Sequence, residues 1–107
     1  MKTFFSSTFM EREALEEVGI DYPIKLEYYK IINEDEIIKQ EKPKFGIHII
    51  KTEYKEQDIK IENKNIQYVT NDEKRIEQIL NLLKKNEVTP IAVEDILNDF
   101  SKNNILL

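Results

Sequence analysis

Three acids crowd the carboxyl end of the chain. In EVTPIAVEDILNDF, residues 87–100, Glu94, Asp95 and Asp99 stand beside the apolar Val93, Ile96, Leu97 and Phe100. Asp95 and Asp99 are four apart and share one side of a helix, which would suit two oxygen ligands of a hard cation. No calcium-loop spacing accompanies them, and no third carboxylate is forced nearby. Asp-x-x-x-Asp is also common on the polar side of an amphipathic helix, so the plainer reading is three acids facing water. His48, the only histidine, has the chemistry of a general base or a metal ligand. Its same-face neighbours in a strand are Gly46 and Ile50, and no second histidine or cysteine exists to complete a site. It reads as a histidine on the outer or edge face of a sheet.

The search for other chemistry ends quickly. No Gly-x-Ser-x-Gly elbow surrounds Ser6, Ser7 or Ser101. Two glycines can write neither a phosphate-binding loop nor a dinucleotide fingerprint. The helical pair at the end invites comparison with a helix-turn-helix. A recognition helix needs polar and basic residues at its start, whereas this one begins Pro90-Ile91-Ala92-Val93-Glu94-Asp95, apolar and then acidic. The residues exclude more than they assign.

One feature exceeds the expectation for a plain core. On the strand from Ile24 the second face carries Tyr29 and Ile31. On the strand from Phe45 it carries His48, Ile50 and Tyr54. Two helices can cover only one face of a sheet, so these five residues form a semi-exposed aromatic and aliphatic patch, the kind that marks partner or self-association surfaces. The competing reading is that the long N-terminal segment, with Phe4, Phe5 and Phe9, folds across it.

The elements that hold these residues follow from periodicity. Residues 2–16 form a long edge strand, or else end in a short helix over MEREALEEV, where Ala14, Leu15 and the glutamates favour one. The strand is the working expectation. Gly19 marks a turn. Ile24, Leu26, Tyr28 and Ile32 then face one side while Lys25, Glu27, Tyr29, Ile31 and Asn33 face the other, a strand of period two. Residues 34–43 are polar and read as a mobile loop. Phe45, Ile47 and Ile49 alternate with Gly46, His48 and Ile50 in a second strand reaching Tyr54. A turn at 55–58 leads to a third, with Ile59, Ile61, Ile66, Tyr68 and Val69, in which 62–65 upset the alternation and predict a bulge or break. Thr70-Asn71-Asp72-Glu73 fits a capping box. Ile76, Ile79, Leu80 and Leu83 recur at helical spacing through Lys85. Thr89 caps a last helix with Pro90 at its first position, and residues 102–107 form a tail. The order predicts an α+β domain, an antiparallel three- to four-stranded meander followed by two short C-terminal helices packed on one face.

Composition bounds the whole. The 107 residues suit a single domain, 1–107, that buries roughly 60–70% of its unfolded surface. A net charge of −5 offers no global basic field for phosphates, so nucleic acid is not an expected partner. Absence of cysteine excludes a disulfide framework and thiolate zinc and fits a reducing compartment. The N-terminus, MKTFFSSTFMERE, has neither the unbroken apolar run nor the cleavage site of a secretory signal. No stretch approaches the ~20 apolar residues of a membrane span. A cytoplasmic chain is expected, with no membrane and no cofactor.

Tyr28-Tyr29 in a strand, Phe45-Gly46-Ile47 opening the next, Thr70-Asn71-Asp72-Glu73 before a helix, and Val88-Thr89-Pro90-Ile91 with Glu94 to Phe100 together resemble a family of small uncharacterised proteins of clostridia and related spore-forming bacteria. The likeness spans roughly residues 24–100 and rests most on the Thr-Pro-Ile…Glu-Asp segment. It implies the same fold order and a bacterial cytoplasmic setting, and it carries over no catalytic residue. The expected role is a non-enzymatic protein-interaction module acting on an unknown protein partner or on itself, as a homo-oligomer. One alternative is a small metal-dependent or carboxylate enzyme using Glu94, Asp95 and Asp99. Another is an acidic regulator that masks a basic partner.

Overall fold

A computed structural model describes residues 1–34 and 42–102. Most of the loop expected at 34–43 and of the tail expected at 102–107 lies outside the described residues. Four strands, β1 (Lys2–Met10), β2 (Ile24–Ile32), β3 (Phe45–Lys55) and β4 (Asp58–Thr70), form an antiparallel sheet in the order β1-β2-β3-β4. Two helices follow, α2 (Glu73–Lys85) and α3 (Val93–Lys102). The expected α+β meander with two C-terminal helices is what the chain adopts.

The strand expected over residues 2–16 is shorter, and the alternative of a strand ending in a short helix is what forms. β1 stops at Met10, and a short helix α1 (Arg12–Leu15) runs into a single 3₁₀ turn ended by Gly19 at φ 82°, a left-handed position that glycine reaches without a Cβ penalty. β1 lies beside β2 in the plane of the sheet, so it does not fold across the second face. A bulge between Phe4 and Ser6 shifts its side chains by one. Phe4 and Phe9, which strict alternation would set on opposite faces, therefore share one.

The core forms where α2 and α3 meet the sheet. Leu26, Tyr28, Phe45, Ile47 and Ile49 from the strands pack with Ile76, Ile79, Leu80, Leu83, Val93 and Leu97 from the helices, all under 9% exposed. Each such side chain contributes about 1.5–3 kcal/mol when fully removed from water. Tyr28 ties the layers together, its hydroxyl donating 2.9 Å to the Val88 carbonyl in the link between the helices. Lys30 faces the same side and donates to Glu73 and Glu77 on α2 at 2.9 and 3.0 Å.

Three local expectations shift. The break expected at 62–65 does not occur there, because β4 pairs regularly with β3 from Asp58 to Ile66. The irregularity lies further on, where Ile47 faces Ile66 and Phe45 faces Thr70. Gly46 sits at that point, and a Cβ on it would collide with the Gln67 and Ile66 carbonyl oxygens. The cap of α2 is Asp72, whose Oδ1 accepts from the Lys74 and Arg75 N–H groups, while Thr70 Oγ1 accepts from the Asp72 N–H. Glu73, the expected partner of a capping box, turns to Lys30. Regular α3 begins at Val93 rather than at Pro90. It follows a turn in which the Thr89 carbonyl accepts from the Ala92 and Val93 N–H groups.

Candidate interaction surface

The helices are too short for the sheet. Thirteen residues of α2 rise roughly 20 Å, whereas the thirteen of β4 extend roughly 43 Å, and the molecule's longest dimension is 47 Å. The β3–β4 hairpin therefore projects past the helical layer, and its chemistry changes there. Near the helices, Phe45, Ile47, Ile49 and Ile66 face the core. Beyond Ile49 the helix-side positions become Lys51, Glu53, Lys60 and Glu62, given by their pairing with Leu26 and Ile24 and with one another. Lys51 lies 3.1 Å from Glu53 and 3.7 Å from Glu62, with Lys55 and Lys60 in further ion pairs to the same two acids. Burial opposes ionisation of Glu53, yet the surrounding lysines, Lys51 first, hold its carboxyl below the usual range.

On the other side of the same hairpin stand Ile50, Thr52, Tyr54, Ile59 and Ile61. The polarity of the two strands has inverted: charge on the helix side, apolar groups on the open side. That inversion explains the odd spacing of β4. Ile59 and Ile61 are two apart, Ile66 is five further on, and an odd step places it on the opposite face.

Pairing registers the open face into rows. Phe4, Tyr29, His48 and Asn65 form one. Ser7, Glu27, Ile50 and Asn63 form the next, and Phe9, Lys25, Thr52 and Ile61 a third, with Tyr54 opposite Ile59 towards the tip. Phe4 meets Tyr29 edge-on at 5.6 Å, Tyr29 lies 5.9 Å from the His48 ring, and Phe9 lies 6.2 Å from Tyr54. Phe4, Phe9, Ile59 and Ile61 are each more than half exposed. A shallow groove of about 360 Å³ continues this face past Phe9 and Tyr54, and its far wall is charged, with Glu11, Arg12, Glu13, Asp21 and Glu56.

The five residues expected to form a partner surface do share this face, but they are not equivalent. Tyr29, Ile50 and Tyr54 are partly exposed. Ile31 and His48 are buried, at 2% and 8% exposure, and lie beneath the surface that the others offer. His48 Nε2 is 3.2 Å from Asn63 Oδ1, a geometry in which Nε2–H donates to the amide oxygen, and Nδ1 is buried without a hydrogen-bond partner. Burial pushes the imidazole below its ordinary pKa, the Asn63 bond pulls the other way, and the Lys2 charge adds to the lowering. Tyr29 donates to Glu27 Oε2 at 3.2 Å, and Lys25 is 3.7 Å from the same oxygen. Burial raises the Tyr29 pKa, and the Glu27 charge and hydrogen bond raise it further. Phe4, Phe9, Ile59 and Ile61 were not among the expected surface residues. The signal for the last two was present in the step from Ile61 to Ile66. For Phe4 and Phe9 the bulge hides it.

The acids of the last helix are placed differently. Glu94, Asp95 and Asp99 are exposed on α3, and Glu94 pairs with Lys64 at 3.5 Å. Among the described residues no group of three His, Cys, Asp or Glu side chains could hold a metal ion. No helix among them is long and apolar enough to cross a membrane.

Fold and surface together define a class: a small α+β domain whose sheet is covered by helices on one face and carries a mixed aromatic, aliphatic and polar surface on the other. The chain belongs to a family of unknown function, DUF6514, which matches residues 7–103. Neither a curated protein nor a solved structure matches it.

Proposed function

We propose that this protein is a non-enzymatic interaction module whose contact surface is the open sheet face, centred on the β3–β4 hairpin. The observation that carries the reading is the polarity inversion. A hairpin that merely projected into water would have no reason to gather Ile50, Tyr54, Ile59 and Ile61 on one side and an ion-pair lattice on the other. An apolar side opposite a charged one is the pattern of a strand pair that is covered from that side. Enrichment in tyrosine and phenylalanine is a compositional mark of an interface, and the charged pair at the middle of this face, Lys25 and Glu27, is mutually neutralised. The bacterial cytoplasmic setting belongs to the same proposal, and the cysteine-free sequence is compatible with it.

The test is capture by the immobilised chain from lysate of its own cell, compared among variants. Ile61→Asp and Tyr54→Ser should abolish retention of the partner, while Asp95→Asn should leave it intact. Retention that is indifferent to both face variants and lost with Asp95→Asn would move the contact to α3 and contradict the proposal.

A further inference from the structure

The open face limits what can cover it. Of the side chains in its rows only Lys2, Lys25 and Glu27 are ordinarily charged, and Lys25 and Glu27 pair with each other. His48 is held towards its neutral form by burial. The chain as a whole carries −5, so most of its surface repels a second copy, and this face does not. A strongly charged partner would have to strip water from its own charges against Ile50, Tyr54, Ile59 and Ile61, with one acid and two lysines within the rows to answer them. The charges of the groove, Glu11, Arg12, Glu13, Asp21 and Glu56, are confined to the rim of the face. A surface of the same composition has no such cost.

The size is also adequate. Four strands at ~4.8 Å and nine residues of β2 at ~3.3 Å make a face of roughly 19 by 30 Å. With side-chain relief, its accessible surface is of the order of the ~800 Å² each partner contributes to a standard interface. The sheet edge is a poorer route. β1 is interrupted by its bulge between Phe4 and Ser6, and the outer strand β4 carries Lys60 and Lys64, both devices that blunt edge pairing.

From these observations we infer that the occupant of the open face is a second copy of this chain, stacked face to face about a two-fold axis. The two hairpin arms then bury their isoleucines and tyrosines against each other, in a β-sandwich with sheets ~10 Å apart. Each copy keeps its helices on the outside. The inference rests on the reading of this face as an interaction surface and names its partner.

Sedimentation of the full chain over a wide concentration range tests it. The expected result is a species of twice the 12.8 kDa chain mass, populated as concentration rises. Ile61→Asp and Phe9→Asp, both at exposed positions, should each weaken self-association by roughly tenfold or more, with unchanged circular dichroism and, at dilutions where the wild type is monomeric, an unchanged urea midpoint. Asn81→Asp, exposed on α2 across the sheet, should leave it unchanged. A wild type that stays monomeric throughout overturns the inference, as does a dimer broken by Asn81→Asp and indifferent to Ile61→Asp. A monomer that still loses lysate capture with Ile61→Asp overturns only the second copy as occupant. A monomer whose capture ignores that substitution overturns the interaction reading as well.

Discussion

Tyr28 and Lys30 both anchor the helical layer to the sheet through polar contacts, and they do so differently. The Tyr28 hydroxyl satisfies the Val88 carbonyl inside the core, and burial pushes its pKa up, with the Glu87 charge adding to the rise. It is therefore a neutral donor at any ordinary pH. Tyr28→Phe removes that donor and leaves a buried carbonyl unsatisfied, which should cost about 1–3 kcal/mol, read as a lower urea midpoint with an unchanged slope. A midpoint within error of wild type would mean that water replaces the hydroxyl. Lys30 instead brings a charge to the border of the core, where Glu73 and Glu77 meet it. Its hydrogen bond to Glu73 raises its pKa against the lowering effect of burial, so the ammonium stays charged under Phe45 and α2. His48 completes the set: it is the residue whose type most invites a catalytic role, yet its ring lies beside Tyr29 on the open face and is held towards neutrality.

At the scale of elements, much was legible because single periods run unbroken. β2 alternates from Ile24 to Tyr29 and β3 from Phe45 to Ile49, and Ile76, Ile79, Leu80 and Leu83 mark the buried side of α2, all at 0% exposure. What escaped was every place where one residue is inserted or one cap moves. The bulge in β1 sets Phe4 and Phe9 on one face despite their odd spacing, and nothing in Phe4-Phe5-Ser6-Ser7 announces it. Isoleucines on opposite faces of β4 look like a broken strand until the limited reach of the helices is known. The cap of α2 is another such case. Thr70 and Glu73 have the capping-box spacing, but Lys30, distant in sequence, claims Glu73, and Asp72 takes the cap. Asp72→Ala should therefore destabilise the fold by about 1 kcal/mol, seen in thermal or urea unfolding. Thr70→Ala should cost less, and the reverse order would restore the capping box.

Taken whole, the molecule is a sheet longer than its helical cover. Over one half the apolar side chains face α2 and α3. Over the projecting hairpin they face the other way, backed by lysines and glutamates. Many of the other acids lie around α1, as Glu11, Glu13, Glu16 and Glu17 do, or on the helices, as Glu94 and Asp95 do. In a chain of net charge −5, the rows of the open face hold one acid, Glu27, with further acids at the groove on their rim. Association through this face is the central claim, and oxidative footprinting of the full chain, dilute against concentrated or partner-loaded, tests it most directly. Phe9, Tyr54 and Ile61 should lose reactivity on association, while Leu82, part-exposed on α2 across the sheet, keeps its own. Unchanged labelling at Phe9, Tyr54 and Ile61 in an associated sample, with protection at Leu82 instead, would contradict it.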